Sequence, residues 1–205
     1  MDRFEDVLAE LRERGLLLQS DPKVLSVCHL ILGSPIKGSW WGHPKGRVIW
    51  AITERLADHP DVMVLKLVAA KVTYVHRRLW PAVYTVARSN ELWQSKGLSS
   101  GARAILARLR KVGSVRTDQL PHRKRGWKVA TLELETRLLA FSQEVHTESG
   151  AHAKQLERWE HWARRLDVKK GKMPVAQAKS QLEQATEKLG ASDGMLPWVR
   201  ANNRR

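Results

Sequence analysis

The sequence predicts an α+β fold, mainly α-helical, in which N-terminal helices with a small β-hairpin precede a second compact module and a C-terminal helix. Three observations carry this. Apolar residues recur at the three-to-four spacing of one helix face through most of the chain. Two short runs, Val62 to Val68 and Val72 to Val75, are rich in strand formers. A polar, glycine-containing stretch, Gln94 to Gly101, interrupts the pattern and marks the best boundary. With 42% hydrophobic and 28% charged residues in a 205-residue chain, a packed core is expected.

The elements follow in order. Asp2 to Leu18 reads as an amphipathic helix with Phe4, Val7, Leu8 and Leu11 on one face, and Gly15 weakens its end. Ser20-Asp21-Pro22 is a helix start, since Asp21 can cap and Pro22 suits the first turn. That helix runs to about Leu32 and stops at Gly33-Ser34-Pro35. Residues 33–46 form a Gly- and Pro-rich loop that carries Trp40-Trp41. Arg47 to Ala57 is helical, with Val48, Ile49, Ile52 and Leu56 inward. The two strand-like runs join through Ala69-Ala70-Lys71 into a hairpin without the usual Asn-Gly turn. Leu79 to Ser89 returns to helix, with Pro81 in its first turn.

Beyond the boundary, Ser99 or Ser100 caps a helix through Ala102, Ile105, Leu106, Leu109 and Val112, closed by Gly113. Ser114 to Arg116 is extended. Thr117 or Asp118 caps a brief helix broken by Pro121, and His122 to Gly126 is a basic loop. Lys128 to Ala140 is helical, with Val129, Leu132, Leu138 and Leu139 as its buried set. Phe141 to Thr147 alternates, and a helix from Glu157 to Leu166 presents Trp159 and Trp162. Lys169 to Lys172 is a solvated hinge before a helix from Val175 to Leu189, and Ala201 to Arg205 is a frayed tail.

The order helix, short strand, short helix, longer helix, hairpin over about Ser99 to Trp162 resembles the winged helix-turn-helix superfamily. The carrying residues are Ser99 to Leu109, Gly113-Ser114-Val115 and Leu132 to Leu139, with Phe141 to His152 as the wing. The expected organisation is therefore a helical region with a hairpin (1–95), a winged-helix-like module (96–168) and a basic C-terminal helix and tail (169–205). The resemblance implies that Lys128 to Ala140 stands where that superfamily often places a helix in the major groove. Glu133 and Glu135 on that helix argue against sequence reading, because carboxylates are repelled by phosphates. The superfamily also includes packing and protein-contact modules, so a protein partner through this module is a further expectation. The block Gly38 to Pro44 is similar to the opening of an uncharacterised bacterial family, a likeness that implies no chemistry.

Charge narrows the partner. The 36 Lys and Arg against 21 Asp and Glu give a formal +15 and a pI near 10.4. Such a field points to nucleic acid, with DNA ahead of RNA. Three clusters pair cations with an indole: Lys37, Lys45 and Arg47 around Trp40-Trp41 and His43; Arg77-Arg78 before Trp80; and Arg123-Lys124-Arg125 with Lys128 around Trp127. Arg137 completes the expected contact set. Cations hold phosphates while a ring offers a stacking face. Trp50, Trp80, Trp93, Trp159 and Trp162 read as core. Trp40 and Trp41 cannot both face one interior from such a loop, so at least one is expected in solvent.

No catalytic signature names a reaction. The first reading is non-catalytic binding without a cofactor. The alternative is an enzyme acting on nucleic acid, a nuclease or glycosylase, using Glu144, His146, Glu148 and His152, which could also hold a divalent metal. The spacing matches no established metal signature, and polar alternation in a hairpin commonly means a wet face. A third reading is a basic assembly subunit of a larger protein or RNA complex. Lys66 and Lys71 read as edge charges before amine nucleophiles, and His76 and His161 as surface or packing residues. Cys28, the sole cysteine, excludes an internal disulfide and suits a reducing cytosol, so a cytoplasmic protein is expected. No apolar run reaches the roughly 20 residues of a membrane span, and the N-terminus lacks signal-peptide character.

Overall fold

Two small antiparallel sheets and the helices packed on them sort the apolar residues into two cores. The computed structural model describes residues 3–120, 126–148, 150–168 and 173–202. The fold is α+β and mainly helical, as the sequence predicts.

Helix α1 (Arg3–Arg14) buries Phe4, Val7, Leu8 and Leu11. It stops four residues before the expected Leu18. Gly15 takes φ 89°, and β1 (Leu16–Leu18) follows with all three leucines sealed. Three successive apolar residues suit a strand buried on both faces. The expected hairpin forms between β2 (Val62–Leu65) and β3 (Thr73–His76), and β1 joins it in the order β1-β3-β2. The connection turns through Ala69 and Ala70, both left-handed at φ 52° and 60°.

Helix α2 (Val27–Leu32) begins later than Asp21, because Ser26 is its cap: Ser26 Oγ accepts from the His29 amide at 3.2 Å. Asp21 instead builds a buried turn. Its carboxylate accepts from the amides of Lys23 (2.8 Å) and Val24 (3.0 Å) and from Lys71 Nζ (2.7 Å). Lys71 is therefore a structural ion-pair partner and not a free edge charge. Burial alone would raise the Asp21 carboxyl, but the bonds from Lys71 and the two amides hold it below the ordinary carboxylate value. A depressed pKa stabilises the fold above the unfolded value near 3.9, and that stabilisation disappears as pH falls through the folded pKa. Asp21→Asn is expected to cost about 1.5 kcal/mol at pH 7. The gap between variant and wild type in urea denaturation should narrow as pH falls below the unfolded carboxylate value near 3.9; a gap independent of pH would show that the charge at Asp21 plays no part.

Helix α3 (Gly46–Ala57) turns Ile49, Ile52 and Leu56 inward as expected, but Val48 and Trp50 face solvent, Trp50 at 49% exposure. Helix α4 (Trp80–Ala87) is nearly all buried, and α5 (Leu92–Ser95) is a single turn. Next come α6 (Ser100–Val112), capped by Ser99 Oγ on the Ala102 amide at 3.1 Å, and β4 (Ser114–Arg116). A 3-10 turn at 117–119, helix α7 (Trp127–Thr136) and strands β5 (Phe141–His146) and β6 (His152–Glu157) complete the unit, with sheet order β4-β6-β5. Helix α7 ends before the expected Ala140, where Leu138 turns left-handed at φ 52°. Val129 and Leu132, read as buried, lie outside at 69% and 44% exposure, and Ala130, Thr131 and Leu134 take the inner face.

Because β6 extends to Glu157, α8 starts later than expected, at Trp159–Arg165. Helix α9 (Val175–Glu187) returns to pack on α4, burying Ala178, Leu182 and Ala185. Helix α10 (Pro197–Asn202) runs through the start of the expected tail, and Trp198 Nε1 donates to Glu183 at 2.7 Å. Leu98, Ile105, Leu109, Leu134 and Leu156 form the smaller core, while Phe141, Trp159 and Trp162 cross into the larger one beside Trp80 and Tyr84. Among the described residues no helix is long and apolar enough to cross a membrane.

Candidate nucleic-acid interface

The residues before α3 fold into a tight aromatic turn. Trp40 is buried, Trp41 stacks on it at 4.2 Å between ring centroids and 21° between planes, and Trp41 stays 67% exposed. His43 Nδ1 accepts from the Lys45 amide at 3.0 Å, and the Gly46 amide donates to the His43 carbonyl at 2.7 Å. A Cβ at Gly46 would sit 3.0 Å from the Trp41 carbonyl oxygen, so glycine permits the closure. Trp40, Trp41, His43, Lys45 and Arg47 are thus brought together, with Lys37 exposed in the same loop. Trp50 lies three residues beyond Arg47 on the exposed face of α3 and adds a ring that the sequence reading placed in the core.

Other expected contact residues have structural partners. Arg77 pairs with Asp61 at 3.0 Å, and Arg78 Nη2 donates to the Glu13 carbonyl at 2.6 Å. Arg137 donates to the carbonyls of Trp93 (3.2 Å) and Lys96 (2.6 Å) and pairs with Glu133 at 3.3 Å, clamping the 93–96 segment to the end of α7. Its guanidinium is thus tied into the fold as well as standing in the expected contact set. Lys128 is exposed at the start of α7. Arg123, Lys124 and Arg125 lie outside the described residues, as do the expected Pro121 break, His122, Ser149, the Lys169 to Lys172 hinge and the last three residues.

The carboxylates of α7 are turned to structural use. Glu133 accepts from the Ser99 amide ahead of α6, at 3.2 Å to one oxygen. Glu135 is buried and takes bonds from Ser142 Oγ and Lys154 Nζ. Lys66 of the first unit faces the same cluster. Burial lowers its pKa first, Lys154 lowers it further, and Glu135 and Glu144 work against the shift. What α7 shows to solvent is Lys128 with Val129 and Leu132, one cation and two apolar side chains.

The Glu144, His146, Glu148 and His152 group lies at the tip of the β5–β6 hairpin. His146 and His152 are cross-strand partners with ring centroids 4.7 Å apart, and His152 Nδ1 stands 4.0 Å from Glu144. These side chains are exposed, and among the described residues no three His, Cys, Asp or Glu converge on a metal position.

A further group of cations lies on α6. Its sequence holds Arg103, Arg108, Arg110 and Lys111 and no carboxylate, and all four are exposed. At about 100° per residue, Arg103 and Arg110 fall on one flank, Arg108 on the other and Lys111 between. Ala104 and Ala107 keep the floor of this face low. Arg103 also donates to the Leu98 carbonyl, but none of the four has an ion-pair partner among the described residues. Gly113 then lets α8 close on the end of α6. It takes φ 80°, and a Cβ there would come 2.1 Å from His161. The Arg158 amide donates to the Gly113 carbonyl at 3.0 Å. This brings Arg158, and Arg88 from the end of α4, to the edge of the α6 face, where both hold Glu160.

The sequence reading missed these residues by seeking cations beside indoles. The available signal was the helical run Arg108-Leu109-Arg110-Lys111, with no acidic residue between Ser100 and Val112. No protein-family model matches the chain, and no curated protein or solved structure is detectably similar to it.

Proposed function

We propose that this chain is a non-catalytic nucleic-acid-binding protein, with DNA ahead of RNA as its partner, and that residues 98–157 form a winged-helix-like unit. The element order and the β4-β6-β5 sheet support the second point. One observation carries the first: the exposed face of α6 gathers four cations that no carboxylate neutralises among the described residues. An unpaired cation carries its full charge to a phosphate and releases counterions from the polymer on contact. In this reading α6, not α7, meets the backbone, and the contacts position without reading sequence. Trp41, with Arg47 and Trp50 nearby, offers a second surface where an unpaired base can stack. Cys28 is buried, which pushes its thiol up to about 11; an inert thiol suits the proposed cytoplasmic setting.

The test is a salt titration of the full chain against duplex DNA, single-stranded DNA and structured RNA in parallel. The expected log–log slope on duplex is about −4 to −6, from the α6 cations and their neighbours at roughly 0.9 per phosphate. A duplex affinity that does not change between 50 and 200 mM salt refutes the reading.

A further inference from the structure

We propose that the groove between the end of α4, the edge of α6 and the start of α8 is a pocket for one terminal phosphomonoester of a nucleic-acid strand. It rests on the nucleic-acid reading and adds the chemical group that this face selects. Arg88, Arg110 and Arg158 line the groove with Glu160. Glu160 bridges two of them, accepting from Arg88 Nε at 3.1 Å and pairing with Arg158 Nε at 3.3 Å. Arg88 is oriented further by Tyr84, whose hydroxyl accepts from its Nη1 at 3.4 Å. Arg110 reaches in from α6 with no ion-pair partner among the described residues.

Three guanidiniums and one carboxylate leave two positive charges around one concavity. A terminal phosphate carries about −1.5 to −2 near pH 7, and an internal phosphodiester only one negative charge, so the pocket matches the end of a strand better than its middle. Guanidiniums present paired donors to phosphate oxygens, which favours this anion over a spherical one. The groove is open to solvent and holds about 130 Å3. That leaves room for a phosphate group beside the three guanidiniums. Glu160 serves as internal counter-ion to Arg88 and Arg158 until phosphate takes up their outer donors together with Arg110.

The experiment compares otherwise identical oligonucleotides carrying a 5′-phosphate, a 3′-phosphate or hydroxyls at both ends, at fixed ionic strength, with inorganic phosphate as competitor. One end-phosphorylated strand should bind about tenfold more tightly than the hydroxyl strand, the worth of one added charge-assisted hydrogen bond. Inorganic phosphate should abolish that ratio. Arg110→Ala and Arg158→Ala should bring it to one, and Glu160→Gln, which removes the competing charge, should enlarge it. Arg110→Lys, a surface change that keeps the charge and the fold, should still reduce it. Equal affinity for all three strands with strong salt dependence overturns the pocket and leaves the interface standing. No affinity for any strand overturns both. A smaller ratio in folded Glu160→Gln also overturns the pocket, because Glu160 would then be helping to hold the anion.

Discussion

Replacing Arg103, Arg108, Arg110 and Lys111 together by alanine is expected to flatten the salt dependence of nucleic-acid binding by about 3–4 in log–log slope, at roughly 0.9 per lost phosphate contact on duplex DNA. Affinity at 0.1 M salt should fall about 10²–10³-fold. The fold should survive, since these side chains point away from Ala102, Ile105 and Leu109, which anchor α6 in its core. Alanine is also the best helix former, so α6 itself does not weaken. The loss should be similar on unrelated sequences, because backbone contacts position a protein without reading bases. Binding isotherms between 50 and 200 mM salt read the slope, and circular dichroism confirms the helix content. A variant that keeps the wild-type slope would remove α6 from the interface.

The largest expected loss of stability lies at Trp162. It is fully buried where the two parts of the molecule meet, edge-on to Trp80 of α4 at 5.5 Å and to Trp159 at 5.3 Å, and tilted against Phe141 of β5 at 5.8 Å. Trp159 is fixed in turn by its Nε1 bond to the Leu138 carbonyl at 2.8 Å. Trp162→Ala removes the ring that four aromatic side chains close upon, and none can fill the space without breaking its other contacts. The cost should be about 3–5 kcal/mol. At about 2–4 °C per kcal/mol for a chain of this size, the melting temperature should drop by about 6–20 °C. Trp162→Phe, which keeps a ring, should lose clearly less. A shift below 2 °C in Trp162→Ala would mean that this seam does not hold the parts together. Helix α8 also carries Glu160 and follows Arg158, so loosening it should blunt the preference for a phosphorylated strand end.

Long periodic elements were legible from sequence. Helices α1, α3, α6 and α9 appear because a face of Leu, Ile, Val and Ala at helical spacing needs no knowledge of its neighbour. The β5–β6 hairpin was visible from its alternation. Strand β1 was not, because Leu16-Leu17-Leu18 continues an apolar helix face as readily as it forms a strand, and pairing with β3 decides. Periodicity also finds a face without saying what covers it. Val48, Trp50, Val129 and Leu132 are large apolar residues within helices, yet nothing among the described residues covers them fully.

By itself the sequence determined the charge excess, the single unpaired cysteine, the helical bias and the Gly-bounded turn that keeps one of two adjacent indoles in solvent. These depend on composition or on a few neighbouring residues. Only the tertiary structure decided which cations are paired. Lys71 finds Asp21, Arg88 finds Glu160 and Lys179 finds Glu91 across separations of 50, 72 and 88 residues. Arg137 finds carbonyls 41–44 residues away. Net charge adds up along the chain, but an ion pair forms only where packing brings two groups within a few ångströms. The surplus left on α6 is therefore a property of the folded molecule.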